Sequence, residues 1–509
     1  MKNPRIDAPV PARTATGFRL ALDPLDAGAL KRHPLFAGKP VKRLRQVDVY
    51  FDTPDLQLWR NGLALRLRRT GGRWLQALTA GEHGAAGLHE HDEWEFPLPT
   101  GNLDQGMLAG TPFGKLPPEA CRALVPAFTV KVMHTSWEVT PKTSGRTEIA
   151  LDQGVLSCRG LEQPICEVEF ELLEGAAGLV FDAAATLQEG CSLRPDSDSK
   201  AECGFRLLRG EPPHPVRAER IHLERGLTLP MALRRIARSS LSHLHANETG
   251  VLASNNGEFV HQTRVALRRL RSALKFAGAH GAPPGGIPIE LKWLSGALGP
   301  ARDWDVLLRD TLPPALRAYG DAVEAGRIAR AARKQLKASF IAARQALGSQ
   351  RYFALLREIS RWLSAPLPQG AGTLAAAFAA KRIGKHHKRL LRAAADLAEQ
   401  TPQQCHRVRI DAKHLRYAVE HFGSLFHRKG VRRYLRTLSA LQDVLGSAND
   451  AAAAQRLLAQ MSLSEAPATF IGGWLAARGA GDLARAQNLV ARLGRRKRFW
   501  TRKYSAAPN

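Results

Sequence analysis

The sequence predicts an α+β chain of two domains. An antiparallel β-barrel or strongly curved sheet comes first, followed by an all-α bundle of two related, pseudo-symmetric halves. Three observations predict it. Short alternating apolar–polar runs, separated by turn residues, fill the first 209 positions. From Met231 onward strand patterns stop and helical periodicity takes over. A block then recurs within this helical region. VHQTRVALRRLRSALK from Val260 and CHRVRIDAKHLRYAVEHF from Cys405 share the spacing His-x-x-basic-x-x-x-basic-x-x-basic at an offset of 145. LGPARDWD from Leu298 and LGSANDAA from Leu445 match at an offset of 147. Two matched blocks at nearly one offset mark an internal duplication.

The strand pattern predicts strands near 16–22, 45–52, 62–69, 73–79, 91–97, 128–139, 145–151, 154–158 and 165–173, with helices near 24–32, 117–124, 178–189 and 199–207. The residues before this sheet, 1–14, read as a disordered lead. Many short strands of this kind suit a closed barrel or a strongly curved sheet. Their alternation is unusual in its charge. In LALRLRR, Arg66 and Arg68 share one face while Leu63, Leu65 and Leu67 share the other. Glu93 and Glu95 share a face in HDEWEF, as do Glu167, Glu169 and Glu171 in CEVEFEL. Alternation alone reads more readily as the wet outer side of a sheet. In a barrel the same face would line a lumen holding both acids and bases, which suits a metal-bound, phosphate-bearing ligand.

RGEPPHPVRAERIHLERGLTLP, with four prolines and no sustained period, reads as a linker over 210–229. Beyond it helices are expected near 230–253, 258–278, 288–298, 302–319, 322–347, 351–364, 373–399, 403–426, 430–444, 448–461, 466–478 and 482–503. On the first repeated helix His261, Arg264, Arg268, Arg271 and Lys275 fall within roughly an 80° arc at about 100° per residue. No acid occurs between Phe259 and Ile289, whereas an ordinary solvated face mixes signs. His406, Arg409, Lys413 and Arg416 repeat the stripe. Lys381, Lys385, Lys388 and Arg392 form another, and Arg234, Arg238 and His245, like Arg333, Lys337 and Arg344, share faces. Asp303 and Asp450, equivalent in the repeat, read as caps beside a turn. The bases of the tail, LGRRKRFWTRKY, alternate with Phe499, Trp500 and Tyr504, which read as aromatics docking into the bundle.

Charge separates the two domains. The net charge is +28, but residues 1–210 hold 25 Lys+Arg against 26 Asp+Glu, and residues 211–509 hold 49 against 20. A polyanion is the natural partner of the helical region. Six cysteines show no CxxC spacing and read as free thiols in a reducing compartment. The opening stretch lacks an apolar core for a signal peptide, and no run of about 18 apolar residues suits a membrane span. The expectation is a cytoplasmic protein with no membrane partner.

YFDTPDLQLWRNGLALRLRRTGGRWLQAL, EWEFPL, ICEVEFELLEG and RPDSDSKAECGFRLL resemble the CYTH, or triphosphate tunnel, family over residues 15–209. The resemblance implies an eight-stranded tunnel that binds tripolyphosphate or nucleoside triphosphates with a divalent metal, Mg or Mn. It implies Arg66 and Arg68 as phosphate binders, Lys200 as a further basic contact, and Glu93, Glu95, Asp152, Glu167 and Glu169 as metal-side acids. This chain departs from the family's opening Glu-x-Glu-x-Lys, where it has Ala15, Gly17 and Arg19, and Thr79 stands where the family has a lysine. Losing two carboxylates weakens a hard-metal site, so the tunnel is expected to be impaired in catalysis.

VHQTRVALRRLRSALK, LGPARDWDVLL, CHRVRIDAKHLRYAVEHF and LQDVLGSANDAA are similar to the CHAD family, over about 225–505, with the domain itself set at 230–505. That resemblance implies two four-helix halves whose basic surface binds inorganic polyphosphate, often fused behind a CYTH domain and found on polyphosphate granules. Carried over, His261, Arg264, Arg268, Arg271, Lys275, His406, Arg409, Lys413 and Arg416 face the ligand, with Lys381, Lys385, Lys388 and Arg392 next. The expected function is polyphosphate binding that requires no cofactor. The alternatives are an active inorganic triphosphatase or polyphosphate hydrolase, and a nucleic-acid-binding protein. No helix-turn-helix, zinc finger or aromatic RNA-binding sheet supports the last.

Overall fold

A computed structural model describes residues 13–501, apart from 86, 141–144, 197, 211, 279, 281–282, 284, 368–371, 462 and 480–482. The proposed disordered lead up to residue 12, Tyr504, and the side chain of Asp450 lie outside the described residues. Two compact units divide the chain: Met1–Pro213 with Gly348–Ala365, and His214–Leu347 with Pro366–Asn509.

The first unit is built on a nine-stranded antiparallel sheet. Its strands are β1 (Arg13–Leu22), β2 (Val41–Asp52), β3 (Leu63–Thr70), β4 (Arg73–Ala85), β5 (Leu88–Leu98), β6 (Val125–Val139), β7 (Arg146–Cys158), β8 (Leu161–Glu174) and β9 (Leu193–Pro195). The order is β5-β4-β3-β2-β6-β7-β8-β1-β9. β1 also pairs with β5, from Arg13↔Glu93 to Phe18↔Leu88, so the ladder returns on itself while β9 branches from β1. The expected barrel is therefore a barrel only loosely. The two strands expected at 145–151 and 154–158 are one strand, β7. Gly154, inside it, lies flat against the backbone of Lys131 and Val132, an approach only a residue without Cβ allows.

Three short helices, α1 (Ala27–Lys31), α2 (Gln57–Arg60) and α3 (Pro118–Arg122), and one longer one, α4 (Gly178–Gly190), accompany the sheet, while α5 (Lys200–Arg209) packs on the inward-facing residues of β6 and β7. Leu63, Leu65, Leu78 and Trp94 bury themselves on the outer side with Leu58, Leu108 and Phe113. Phe128, Val130, Leu156, Ala201 and Phe205 form a second core under α5, on the inward-facing side with Tyr50 and Ala64. The reading of the charged faces as the wet outside of the sheet is thus corrected. The charged faces turn inward, and the apolar face of Leu63, Leu65, Leu78 and Trp94 lies outside. Asp52 is spent on local structure, accepting from the backbone N–H groups of Thr53, Leu58 and Trp59 at 2.7–2.9 Å to hold α2.

The second unit is helical: α6 (Leu229–Ala253), α7 (Gly257–Ala277), α8 (Ile287–Ala297), α9 (Gly299–Val306), α10 (Leu312–Tyr319) and α11 (Ala322–Leu347). The segment α12 (Gln350–Ser364) belongs to the first unit, where it packs on α4 and β9. The sequence pattern alone groups it with the helical region. Then follow α13 (Ala375–Ala393), α14 (Pro402–Phe422), α15 (Arg428–Ala459), α16 (Glu465–Gly479) and α17 (Leu483–Arg495). α15 runs unbroken through Gly446 and Ser447, where a turn was expected. The stretch expected as a linker is tied down. Leu223 is buried and its N–H donates to Ser424 Oγ at 2.9 Å, and the Val216 N–H donates to Asn247 at 3.0 Å. No helix among the described residues is long and apolar enough to cross a membrane, and all six cysteines are free.

Candidate functional sites

In the second unit the caps fix where the two repeated stripes begin. Asn256 caps α7 by accepting from the Glu258 N–H at 3.0 Å. Thr401 and Gln404 form a capping box on α14, with Pro402 at its first position. Both helices bury an apolar face. Val260, Leu267, Leu270 and Leu274 do so on α7, and Val408, Ala412, Leu415 and Val419 on α14. The cationic faces of the two helices meet.

Lys275 Nζ lies 3.5 Å from His414 Nε2. Arg268 and Arg416 both stack on Tyr417, 5.6 and 5.5 Å from its ring centre. Burial first, and then the charges of Arg268, Arg409, Arg264 and Arg416, pull Lys413 down to about 8. Burial also lowers Arg264, whose guanidinium donates to the Ser295 carbonyl at 2.9 Å. Arg268 Nε is buried without a hydrogen-bond partner among the described residues. Few acids answer: Asp303 acts on Arg264, Asp411 is taken by Arg389 at 2.9 Å, and Glu420 by Arg416 at 3.2 Å. Asp303 sits inside α9, so the cap reading of this residue is corrected. Buried like charges repel strongly where water cannot screen them, and an anion relieves the repulsion.

The sequence-derived candidates are distributed unevenly. Arg264, Arg268, Arg409, Lys413 and Arg416 act on one another. His261 is half-buried, lowered by burial and by Arg302, and Arg271 is half-buried and lowered by burial. Lys275 joins through His414, and His406 is exposed near the start of α14. Lys381, Lys385, Lys388 and Arg392 are all exposed on α13, and among the described residues none bonds α7 or α14. The α13 residues that do so are Arg382, which donates to the Phe276 carbonyl at 2.7 Å, and Arg389. Arg302, His414 and Tyr417 were missed. Arg302 lies inside the second repeated block, which was its only signal. Arg344, grouped with a basic face by sequence, instead binds the Val251 and Ser254 carbonyls at the end of α6.

In the first unit the inward faces enclose a cavity of about 270 Å³. Its lining includes Arg66, Arg68, Lys200, Glu93, Glu95, Asp152 and Glu169, with Glu167 just behind. Ser199 caps α5 in a capping box with Glu202, which places Lys200 on the first turn at the cavity wall. Arg66 pairs with Glu93 at 2.6 Å, and Arg68 grips the fully buried Asp48 through two contacts of 2.9 Å. Lys200 bridges Asp152, at 2.7 Å, and Glu167. Arg19 meets Glu169 at 3.5 Å, and His89 meets it at 2.9 Å. His134 bonds Asp152 at 2.7 Å. Burial raises Asp152 and Glu93, yet their partners, Lys200 and His134 for the one and His91 and Arg66 for the other, bring each to about 2. The Asp152 hydrogen bond raises His134.

The donor set does not fit a divalent metal as it stands. Four of the five expected acids hold internal cations, and no group of three or more His, Cys, Asp or Glu residues converges on a metal position among the described residues. At Gly17 an added Cβ would clash with the His89 ring at its Nε2. His89 therefore fills the space above the position where the resemblance expects a carboxylate. His89, His91 and Asp48 were missed, although His89 and His91 stand in the same alternation as Glu93 along β5 and Asp48 lies directly opposite Arg68 across the β2–β3 ladder.

A family model described as CYTH domain matches residues 19–205, and one described as CHAD domain matches residues 235–459. The crystal structure of the CHAD domain from the plant Ricinus communis is 36% identical, covers 55% of this chain and 96% of that chain, and superposes with a TM-score of 0.50. The inorganic triphosphatase of Haemophilus influenzae is 33% identical over 165 residues, which are 31% of this chain and 45% of that relative. The chain thus spans less than half the length of that curated relative.

Proposed function

This chain belongs to the proteins that join a CYTH domain to a CHAD domain, and from that premise we propose that it binds inorganic polyphosphate between α7 and α14. One observation carries the reading: Lys413 is pressed among four arginines with too few acids to neutralise them. A string of phosphates needs dense positive charge and planar donors, and arginine forks supply both. No cofactor is needed for this binding. In the same reading the protein is cytoplasmic and associates with polyphosphate granules.

The first unit is read as a tunnel impaired in catalysis, since Gly17 is filled by His89 and Lys200 sits between two of the acids a metal would need. The second reading is an inorganic triphosphatase that uses Mg²⁺ or Mn²⁺, favoured by the 33% identity to a triphosphatase. Orthophosphate release with either metal, lost on Arg66→Ala, would put that reading first.

The test of the main reading is competition at near-physiological salt. Labelled long-chain polyphosphate is bound to the protein and challenged with DNA, RNA and tripolyphosphate, with and without Mg²⁺. Retention against nucleic acid at matched phosphate is expected, and loss of binding in Arg264→Glu/Arg409→Glu with the fold intact. Displacement by DNA or RNA would make the surface a general polyanion site. Salt alone does not discriminate, because counterion release weakens all of these complexes.

A further inference from the structure

The helical unit carries a second concentration of positive charge, away from the paired stripes. It lies on the first half of α15 and on α17 with the residues that follow it. No acid occurs from His427 to Gln442, nor from Leu483 to Thr501. Arg433, Arg436 and Arg492 are exposed and Arg496 is half-buried. Arg496 Nε donates to Thr437 Oγ1 at 2.9 Å, which fixes its guanidinium on α15. Burial, and then the charges of Arg492, Arg433 and Arg436, lower Arg496. Among the described residues no carboxylate is paired with any of these four.

The patch is rigid. Phe499 and Trp500 are 7% and 6% exposed and pack at 5.5 and 5.4 Å from the Tyr434 ring of α15. Trp500 also meets His387 of α13 edge-on at 5.2 Å. The chain after α17 is therefore pinned, and Lys497 and Arg498 stand exposed beside the cluster. With Phe499 and Trp500 turned inward, neither can stack on a nucleobase, so charge is what this surface offers.

α13 connects the two cationic regions. One flank carries Arg382 and Arg389 toward α7 and α14. The other carries Gly384 against Trp500 and Leu391 against Gly494 of α17. At about 100° per residue, Lys381, Lys385, Lys388 and Arg392 fall between these flanks, and all four are exposed.

We propose that the α15–α17 face is a second binding surface for the same polyphosphate chain, reached from the α7–α14 site over the lysine ridge of α13. The inference rests on the polyphosphate reading above. A chain long enough to reach both surfaces gains from effective concentration, and a short one does not. The structure thereby gives the unit a preference for long polymers.

The test uses the full chain, a short oligophosphate and a long-chain polyphosphate. Arg433→Gln/Arg436→Gln/Arg492→Gln is expected to leave short-chain affinity unchanged, to lower long-chain affinity by at least about tenfold, and to reduce the salt slope by roughly two to three for long chains alone. All three residues are exposed, and an unchanged melting curve confirms the fold. Lys385→Gln/Lys388→Gln on the ridge, which touches neither cluster, is expected to lower long-chain affinity in the same direction. Equal long-chain affinity in both variants overturns the second surface and leaves the α7–α14 site standing. Loss of short-chain binding in the arginine variant overturns it as well, because the two surfaces are then not separate. Long-chain binding displaced from the face by duplex DNA overturns the polyphosphate occupant. Absence of binding to either length by the unaltered protein overturns the α7–α14 reading, and this one with it.

Discussion

Lys413 gives the α7–α14 site a pH dependence whose size follows from the structure. In the free protein burial and four arginines hold it at about 8. A bound polyanion reverses the local field and favours the charged ammonium, returning it toward or above the ordinary lysine value of 10.5. The sign is then fixed. Below about pH 8 the lysine is already charged and affinity is at its full value. Above it, binding must take up a proton, and affinity falls. Between pH 7 and pH 9 the free lysine goes from about 90% to about 10% charged, so the affinity drops about tenfold, or about 1.4 kcal/mol. In the free protein the half-buried histidines of the site are uncharged over this range. His261 and His386 are lowered, and His414 is brought down to about 4, by burial first and then by neighbouring cations. Lys413→Arg stays charged throughout and should flatten the curve while keeping binding. The assay is titration calorimetry or fluorescence anisotropy at fixed ionic strength from pH 7 to 9.5, repeated in two buffers to count protons. A flat profile in the unaltered protein, or the same slope in Lys413→Arg, refutes the argument.

Three further outcomes follow from the packing. Gly17→Ala pushes a methyl into the His89 ring and should cost about 1–3 kcal/mol of unfolding free energy; His89→Ala in the same chain should recover some of it, and a cost-free Gly17→Ala in denaturant unfolding would show that the cavity does not pack as described. Arg68→Ala strands Asp48, which is fully buried, and should cost about 3–5 kcal/mol. Burial raises Asp48, but the charge and hydrogen bonds of Arg68 turn the net shift downward, so the stabilisation present above the ordinary carboxylate range is lost as pH falls through the depressed value. The acid limb of a stability–pH curve should flatten in the variant. Trp500→Ala opens a cavity between α13 and α15 and should cost about 3–5 kcal/mol in the second unit, read as a lower melting temperature; an unchanged one would mean the tail is not a packing element.

Much of the fold was legible because period and charge agreed. In β3 one alternation placed Arg66 and Arg68 on one side and leucines on the other. The repeat alone placed α7 and α14 as equivalent helices. What alternation could not say was which side of the sheet is wet, because that depends on short helices elsewhere in the chain that cover the apolar face. Residues 152–153 and 445–447 read locally as breaks, yet Gly154 permits a close strand approach within one strand and Gly446 rides inside a 32-residue helix held by its neighbours. His89 was illegible as a site residue for a different reason. Its role depends on what is absent at Gly17, across a strand pair far apart in sequence. Lys381, Lys385, Lys388 and Arg392 formed a clean stripe, but a helical wheel gives a direction only relative to its own axis.

The placement of α12 has a consequence for how the protein comes off the ribosome. Its Tyr352, Phe353, Leu356, Ile359 and Trp362 are buried, and its arginines reach back to α4, Arg361 to Asp182 at 2.6 Å. Those partners are synthesised more than 160 residues earlier. The nascent sheet must therefore wait, with the side of α4 that meets α12 uncovered, until all of α6 to α11 and then α12 itself have been made. The backbone crosses between the two units three times, so a single cut cannot release either one whole. A fragment ending at residue 213 lacks its last layer, and one beginning at residue 214 carries an apolar helix with nowhere to dock.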